Sequence, residues 1–245
     1  MTETPSFKDR SVSFAERVVQ RLVFGGRRTF PGLEPVYQRV FEREIAKMGI
    51  ADEFFPVGSA ANYGLMYAVL RVACQFKPKS ILELGAGQTS LLLDRLARAG
   101  TLESKILTVE HDPLWSAHIG GQVRHRIQRL DLKPYEDNGL RYTGYDIAAL
   151  ALDEPIDMLL IDGPPGGEAR LKHSRHGCIG LLKRLNPNGF VVIVDDAERS
   201  GEAKLCGRIA GYFRDANIEF KRGHITTNKR QEVFASGPYS GAAYI

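Results

Sequence analysis

The sequence predicts an α/β protein: a doubly wound, mostly parallel sheet of about seven strands, the last antiparallel, with extra helices at the N-terminus. Three observations predict it. From residue 79 onward, short apolar runs alternate with helical patterns, the signature of strand–helix–strand units and of a sheet covered on both faces. The strongest runs, MLLI and FVVIV, are continuously apolar, as strands buried on both faces are. The strand tips, where ligands bind in such sheets, carry acids one after another: Glu83, Glu110, Asp146, Asp162, then Asp195 with Asp196.

Each element has its own warrant. Residues 11–23, SVSFAERVVQRLV, place Val12, Ala15, Val18, Val19 and Leu22 on one helical face, with Glu16, Arg17 and Arg21 outside it. Such a basic amphipathic helix packs on its own domain or on a second subunit of a homodimer, or lies on a membrane surface. Residues 34–48 and 58–76 give two further helical patterns, the second ending before Lys77-Pro78. KSILELGAG reads as a strand breaking into glycine, and TSLLLDRLARAG as a helix closed by Gly100. KILTVEHD is a second strand, with a helix from Pro113. LRYTGYD reads as a short third strand and IDMLLIDG as a fourth. A helix over 170–185 stops at Asn186-Pro187-Asn188-Gly189, FVVIVDD is the fifth strand, and 200–216 is another helix. IEFKRG and RQEVFASG finish the chain as an antiparallel pair. No repeat or linker marks a second domain, so residues 1–57 read as a helical extension of one domain spanning 58–245.

Composition narrows the class. With 245 residues, 43% hydrophobic and 25% charged, the chain buries a full core. A net charge of +4 is too small to imply nucleic acid. Cys74, Cys178 and Cys206 lie far apart with no CxxC pair, which speaks against a zinc site or disulfide framework and for a reducing, cytoplasmic location. MTETPSFKDR lacks the apolar core of a signal peptide, and no run approaches the roughly 18 apolar residues of a membrane span.

In ILELGAGQTS, Gly85 and Gly87 permit a tight turn ahead of a helix N-terminus, a general sign of nucleotide binding. Two details sharpen it. Ser90 stands where the dinucleotide motif GxGxxG has its third glycine. Glu83, two residues before Gly85, would repel a pyrophosphate by a few kcal/mol at about 4 Å and an effective dielectric of about 20. Beside a sulfonium and an ammonium the same charge attracts. Glu110 ends the second strand, where a carboxylate accepts both ribose hydroxyls of an adenosine. Asp146 either reaches the adenine edge or caps the helix after it.

ILELGAGQTS, TVEHD, MLLIDGPPGG and GFVVIVDD, in that order, resemble the motif set of class I S-adenosylmethionine-dependent methyltransferases, over residues from about 58 to the C-terminus. The resemblance implies a Rossmann-like fold and S-adenosylmethionine as cofactor. It places the methionine part on Glu83, Gly85, Ala86 and Gly87, the ribose on Glu110 with His111 beside it, and the reaction at Asp162. A narrower likeness, to catechol-type O-methyltransferases, implies a divalent metal such as Mg²⁺ or Mn²⁺ on Asp162, Asp195 and Asp196. Strand tips about 5 Å apart would bring those carboxylates together, and such a metal lowers the pKa of a substrate hydroxyl. The other reading leaves Asp162 and Asp195 on substrate or cofactor and makes Asp196 a helix cap. GPPGGEAR departs from the catechol pattern and resembles instead bacterial methyltransferase-like proteins with IDGPPG followed by DDAxR, some relatives of which act on glycans.

The function expected is methyl transfer to a hydroxyl of a small molecule or glycan, with metal assistance. In EARLKHSRH, Lys172 and His173 are candidate bases; the same cluster, with Arg170, Arg175 and His176, could instead bind an anion or form a solvated helix face. Arg199 is placed to pair with an aspartate, Asn62 and Tyr63 to line the cofactor pocket, and Trp115 to pack on adenine or in the core. Two other classes stay open: a nicotinamide oxidoreductase and a non-catalytic assembly module.

Overall fold

The computed structural model describes residues 29–51, 53–56, 60–137, 139–167 and 169–245, so the amphipathic pattern at 11–23 lies outside the described residues. Helix α1 (Glu34–Lys47) and helix α2 (Tyr63–Phe76) precede the sheet. The second starts at Tyr63 because Asn62 is extended and its side chain accepts from Leu65 N, an N-cap. Then follow β1 (Ser80–Leu84), α3 (Gln88–Arg98), β2 (Lys105–Glu110), α4 (Pro113–Gly120) and β3 (Arg126–Arg129). A hairpin of β4 (Leu132–Asp137) and β5 (Leu140–Tyr145) comes next, then β6 (Met158–Ile161), β7 (Val191–Val194), α5 (Ser200–Asp215), β8 (Lys221–Thr226) and β9 (Arg230–Ala235).

Among the described residues one sheet has seven strands in the order β3-β2-β1-β6-β7-β9-β8. The first five are parallel, while β9, the last in the chain, runs antiparallel between β7 and β8. The doubly wound sheet is the one the sequence predicts. With the hairpin left out, the order reads 3-2-1-4-5-7-6, which departs from the dinucleotide-binding order 3-2-1-4-5-6 at its last two places. Strand order reverses between β1 and β6, so the crevice for a ligand opens above Leu84 and Ile161.

Two predicted elements are corrected. LRYTGYD is not the third strand of the sheet: it pairs antiparallel with β4 in a separate ribbon, and the sheet's third strand is the short edge segment RIQR. The helix predicted over 170–185 is two 3₁₀ segments, Ala169–Leu171 and Ser174–Arg184. The second segment packs tightly on the ribbon: a Cβ on Gly144 would lie 2.7 Å from Ser174 O, and one on Gly180 2.4 Å from Ile147 Cδ1.

The strand pleat divides the core. Ile81, Met158, Leu160, Val191 and Ile193 face α1, α2 and α3 through Phe41, Ile45, Leu65, Leu92 and Leu96. Leu82, Leu84, Leu159, Ile161, Val192 and Val194 face α5 and the 3₁₀ segment through Leu205, Ile209, Phe213 and Leu181. Each such side chain contributes about 1.5–3 kcal/mol of burial, which holds the strand tips in register and hence the site. No helix among the described residues is long and apolar enough to cross a membrane.

Candidate active site

A cleft of about 740 Å³ opens at the carboxyl ends of β1, β2, β6 and β7. One wall is the glycine turn after β1. Gly85 has φ +97°, and a Cβ there would lie 2.9 Å from Gly163 N, so only glycine lets the β1 and β6 tips close together. Gly85 N donates to Val109 O at 2.9 Å, tying the turn to β2 as well.

Glu83 sits beneath that turn with no exposed surface. Thr89 Oγ1, Ser90 Oγ and Thr108 Oγ1 donate to its carboxylate at 2.5, 2.6 and 2.7 Å. Burial raises its pKa, and the three hydroxyls partly offset the rise. Two of these donors belong to the first turn of α3, and Ser90 Oγ also accepts from Gly87 N at 3.0 Å. The first turn of the helix thus already holds a carboxyl group of the chain itself through two side-chain hydroxyls. Glu83 does not line the cleft.

Glu110 does line it. Its Oε1 accepts from the backbone N–H groups of His111 at 2.7 Å and Asp112 at 2.8 Å, and its Oε2 from Ala86 N at 3.1 Å. His111 Nδ1 lies 2.7 Å from Oε1. Burial alone would raise the Glu110 pKa, but the donors, led by His111, hold it below the usual carboxylate value. The hydrogen bond to Glu110 raises the His111 pKa in turn. Trp115, 43% exposed, stands at the same wall with its Nε1 donating to Ala86 O at 2.7 Å. It is therefore a cleft residue and not a core one.

The opposite wall is built on the β6 and β7 tips. Asp162, Asp195 and Asp196 converge, with donor oxygens all within 4.8 Å of one another. Asp162 and Asp196 line the cleft, while Asp195 is buried behind them. Asp196 adopts a left-handed backbone conformation, φ +57°, of the kind that costs about 1–3 kcal/mol and clusters at functional sites.

Arg175 lies at the centre. Its guanidinium donates to the carbonyls of Asp162 at 2.8 Å, Pro164 at 3.2 Å and Asp195 at 3.0 Å, and to Asp196 Oδ2 at 3.0 Å. Arg199 pairs with Asp196 at 2.7 Å, the partnership the sequence pointed to. Lys229, from the β8–β9 turn, places Nζ 3.3 Å from both Asp195 Oδ2 and Asp196 Oδ1. Gln231 donates to Asp195 Oδ1 at 2.6 Å and to Asn62 Oδ1 at 3.0 Å. Asn62 thus supports the site from behind and does not line the cleft.

Three carboxylates therefore meet three cations. An ion bound to Asp195 Oδ2 and Asp196 Oδ1 would have to compete with the Lys229 ammonium, which already lies 3.3 Å from both oxygens. As these side chains stand, the triad does not fit a divalent ion. Burial and the Asp195 charge raise the Asp162 pKa well above the usual range.

No family model and no curated protein matches the chain. Solved structures do resemble it. A methyltransferase from Pyrococcus furiosus is 16% identical with a TM-score of 0.48, over 84% of this chain and 99% of that one. A methyltransferase from Podospora anserina bound to S-adenosylhomocysteine is 13% identical with a TM-score of 0.46, over 96% and 98%. An O-methyltransferase from Bacillus cereus, also in complex with S-adenosylhomocysteine, is 16% identical with a TM-score of 0.44, over 89% and 97%. These neighbours are methyltransferases, the family whose motifs the sequence resembles.

Of the residues singled out from sequence, Gly85, Ala86, Gly87, Glu110, His111, Asp162 and Asp196 line one cleft. Four do not. Glu83 is caged below the turn, and Asp146 pairs with Lys133 on the hairpin, without a side-chain cap to the 3₁₀ turn at Ile147–Ala149. Lys172 is exposed, and His173 packs edge-on against His176 with its pKa lowered by burial. Arg175, grouped from sequence with a solvated or anion-binding cluster, is buried at the site's centre. Lys229 was not anticipated, because nothing local marks a lysine in a hairpin turn 34 residues after Asp195.

Proposed function

We propose that the cleft binds S-adenosylmethionine and that the protein is a methyltransferase, acting on a hydroxyl of a small molecule or glycan. The observation that carries this reading is the caged Glu83. In a dinucleotide site the pyrophosphate takes the helix N-terminus. Here a buried carboxyl group lies beneath the turn, held by hydroxyls of the helix's first turn, which favours a cofactor whose charged groups near the turn are cationic. Glu110, fixed by three backbone donors and with Oε2 accepting only from Ala86 N, is the acceptor for a ribose hydroxyl. Trp115 and His111 flank the adenine. The methyl-bearing sulfur then points toward Asp162 and the Gly166–Gly167 loop, where the acceptor enters. The cleft volume suits a cofactor with a small second ligand.

The transfer is an in-line displacement at the methyl carbon, and the chain's contribution is alignment of the acceptor oxygen. Asp162 lines the acceptor side of the cleft and is the carboxyl group placed to take the hydroxyl proton. No step needs a metal. Isothermal titration separates the two cofactor classes: S-adenosylmethionine and S-adenosylhomocysteine are expected to bind and NADH not. Binding of NADH alone would overturn the reading.

A further inference from the structure

We infer that the Asp162/Asp195/Asp196 triad carries its own counter-ions, and that Lys229 with Arg175 closes it to divalent metal. The inference stands apart from the cofactor reading, since it concerns only what fills the acidic site. Each carboxylate has a cationic partner. Asp162 Oδ1 lies 3.3 Å from Arg175, Asp195 Oδ2 lies 3.3 Å from Lys229, and Asp196 meets Arg175, Arg199 and Lys229. Arg199 is 37% exposed, but Arg175 and Lys229 are not loose surface groups. The Arg175 side chain is 4% exposed and Lys229 13%, and both are anchored by carbonyls, Arg175 by Asp162, Pro164 and Asp195, Lys229 by Ala60 at 3.1 Å.

The placement of Lys229 depends on topology. Its turn leads into β9, which is inserted beside β7, so the ammonium arrives directly over the β7 tip. A metal-bridged acidic site needs free carboxylate oxygens, and here each aspartate of the triad already has a cation within 3.3 Å. Lys229 and Arg175 therefore act as positioning residues that hold the triad in its converged geometry without an ion.

Manganese alone is the probe. Added to the full-length protein as MnCl₂, it is read by the electron paramagnetic resonance of free Mn²⁺, which disappears on binding. The wild type is expected to leave the free-ion signal intact up to about 1 mM, the weak limit of biological cation sites. Lys229→Met is expected to gain Mn²⁺ affinity by at least about tenfold, because a like charge close to the oxygens is gone. Lys229→Arg is expected to stay silent. The inference is overturned if the wild type takes up Mn²⁺ and Asp196→Ala abolishes the uptake, or if a folded Lys229→Met protein gains none. Should Lys229→Met fail to fold, the wild-type and Lys229→Arg titrations decide the matter by themselves.

Discussion

Arg175 reaches three carbonyls and an aspartate from a buried position, so its loss leaves charge with no partner. Breaking a buried ion pair from one side costs about 3–5 kcal/mol. Arg175→Met is therefore expected to lower Tm by roughly 6–20 °C in a domain of this size, measured by calorimetry. An unchanged Tm would mean that the arginine is not what neutralises the triad. The Glu110–His111 pair gives a pH signature. Folded His111 titrates above its ordinary 6.5, so the stability it adds is complete below that value and fades as pH rises through the folded pKa. Glu110 titrates below its ordinary 4.5, so its contribution is present above that value and is lost as pH falls through the folded pKa. His111→Asn is expected to lose most stability relative to the wild type between about pH 4.5 and 6.5, with the gap closing at higher pH. A Tm difference independent of pH would contradict the pairing.

At the scale of elements, the crevice depends on two strand tips meeting without side chains. A Cβ on Gly163 would lie 2.6 Å from Gly85 Cα and 2.8 Å from the Tyr145 hydroxyl. Gly163→Ala is expected to destabilise by about 1–3 kcal/mol through overpacking and to weaken cofactor binding. Gly211→Ala, inside α5 with nothing near its Cβ, is the matched control and is expected to stabilise by about 0.4–1 kcal/mol. Equal effects of the two in thermal denaturation would argue against close packing of the tips. The elements also show where sequence reasoning reached and where it stopped. β6 and β7 were legible because strands buried on both faces are continuously apolar. The β4–β5 ribbon was missed although Asn138-Gly139 is a strong hairpin signal, because the apolar pattern of LRYTGYD alone does not say which strand it pairs with. The edge strand RIQR has no apolar run to betray it.

At the scale of the molecule, the order of strands brings distant charges together. The acidic tips were readable from sequence because each follows an apolar run, and the glycine turn because its spacing is fixed. What the tips face was not readable. Lys229 and Arg175 reach the triad through β9 insertion and a 3₁₀ path, both settled by long-range packing. Glu83 looked like a ligand from its spacing, and only the hydroxyls of Thr89, Ser90 and Thr108 reveal it as a buried brace. Glu110 lines the cleft, and on the proposed reading it is the carboxylate that receives the ribose. The most direct test is the affinity of S-adenosylhomocysteine for the wild type and for Glu110→Ala by isothermal titration. The account predicts binding to the wild type, weakened about tenfold to hundredfold in the variant, the worth of hydrogen bonds to a charged acceptor. Equal affinity in the two proteins, or none in the wild type, would contradict it.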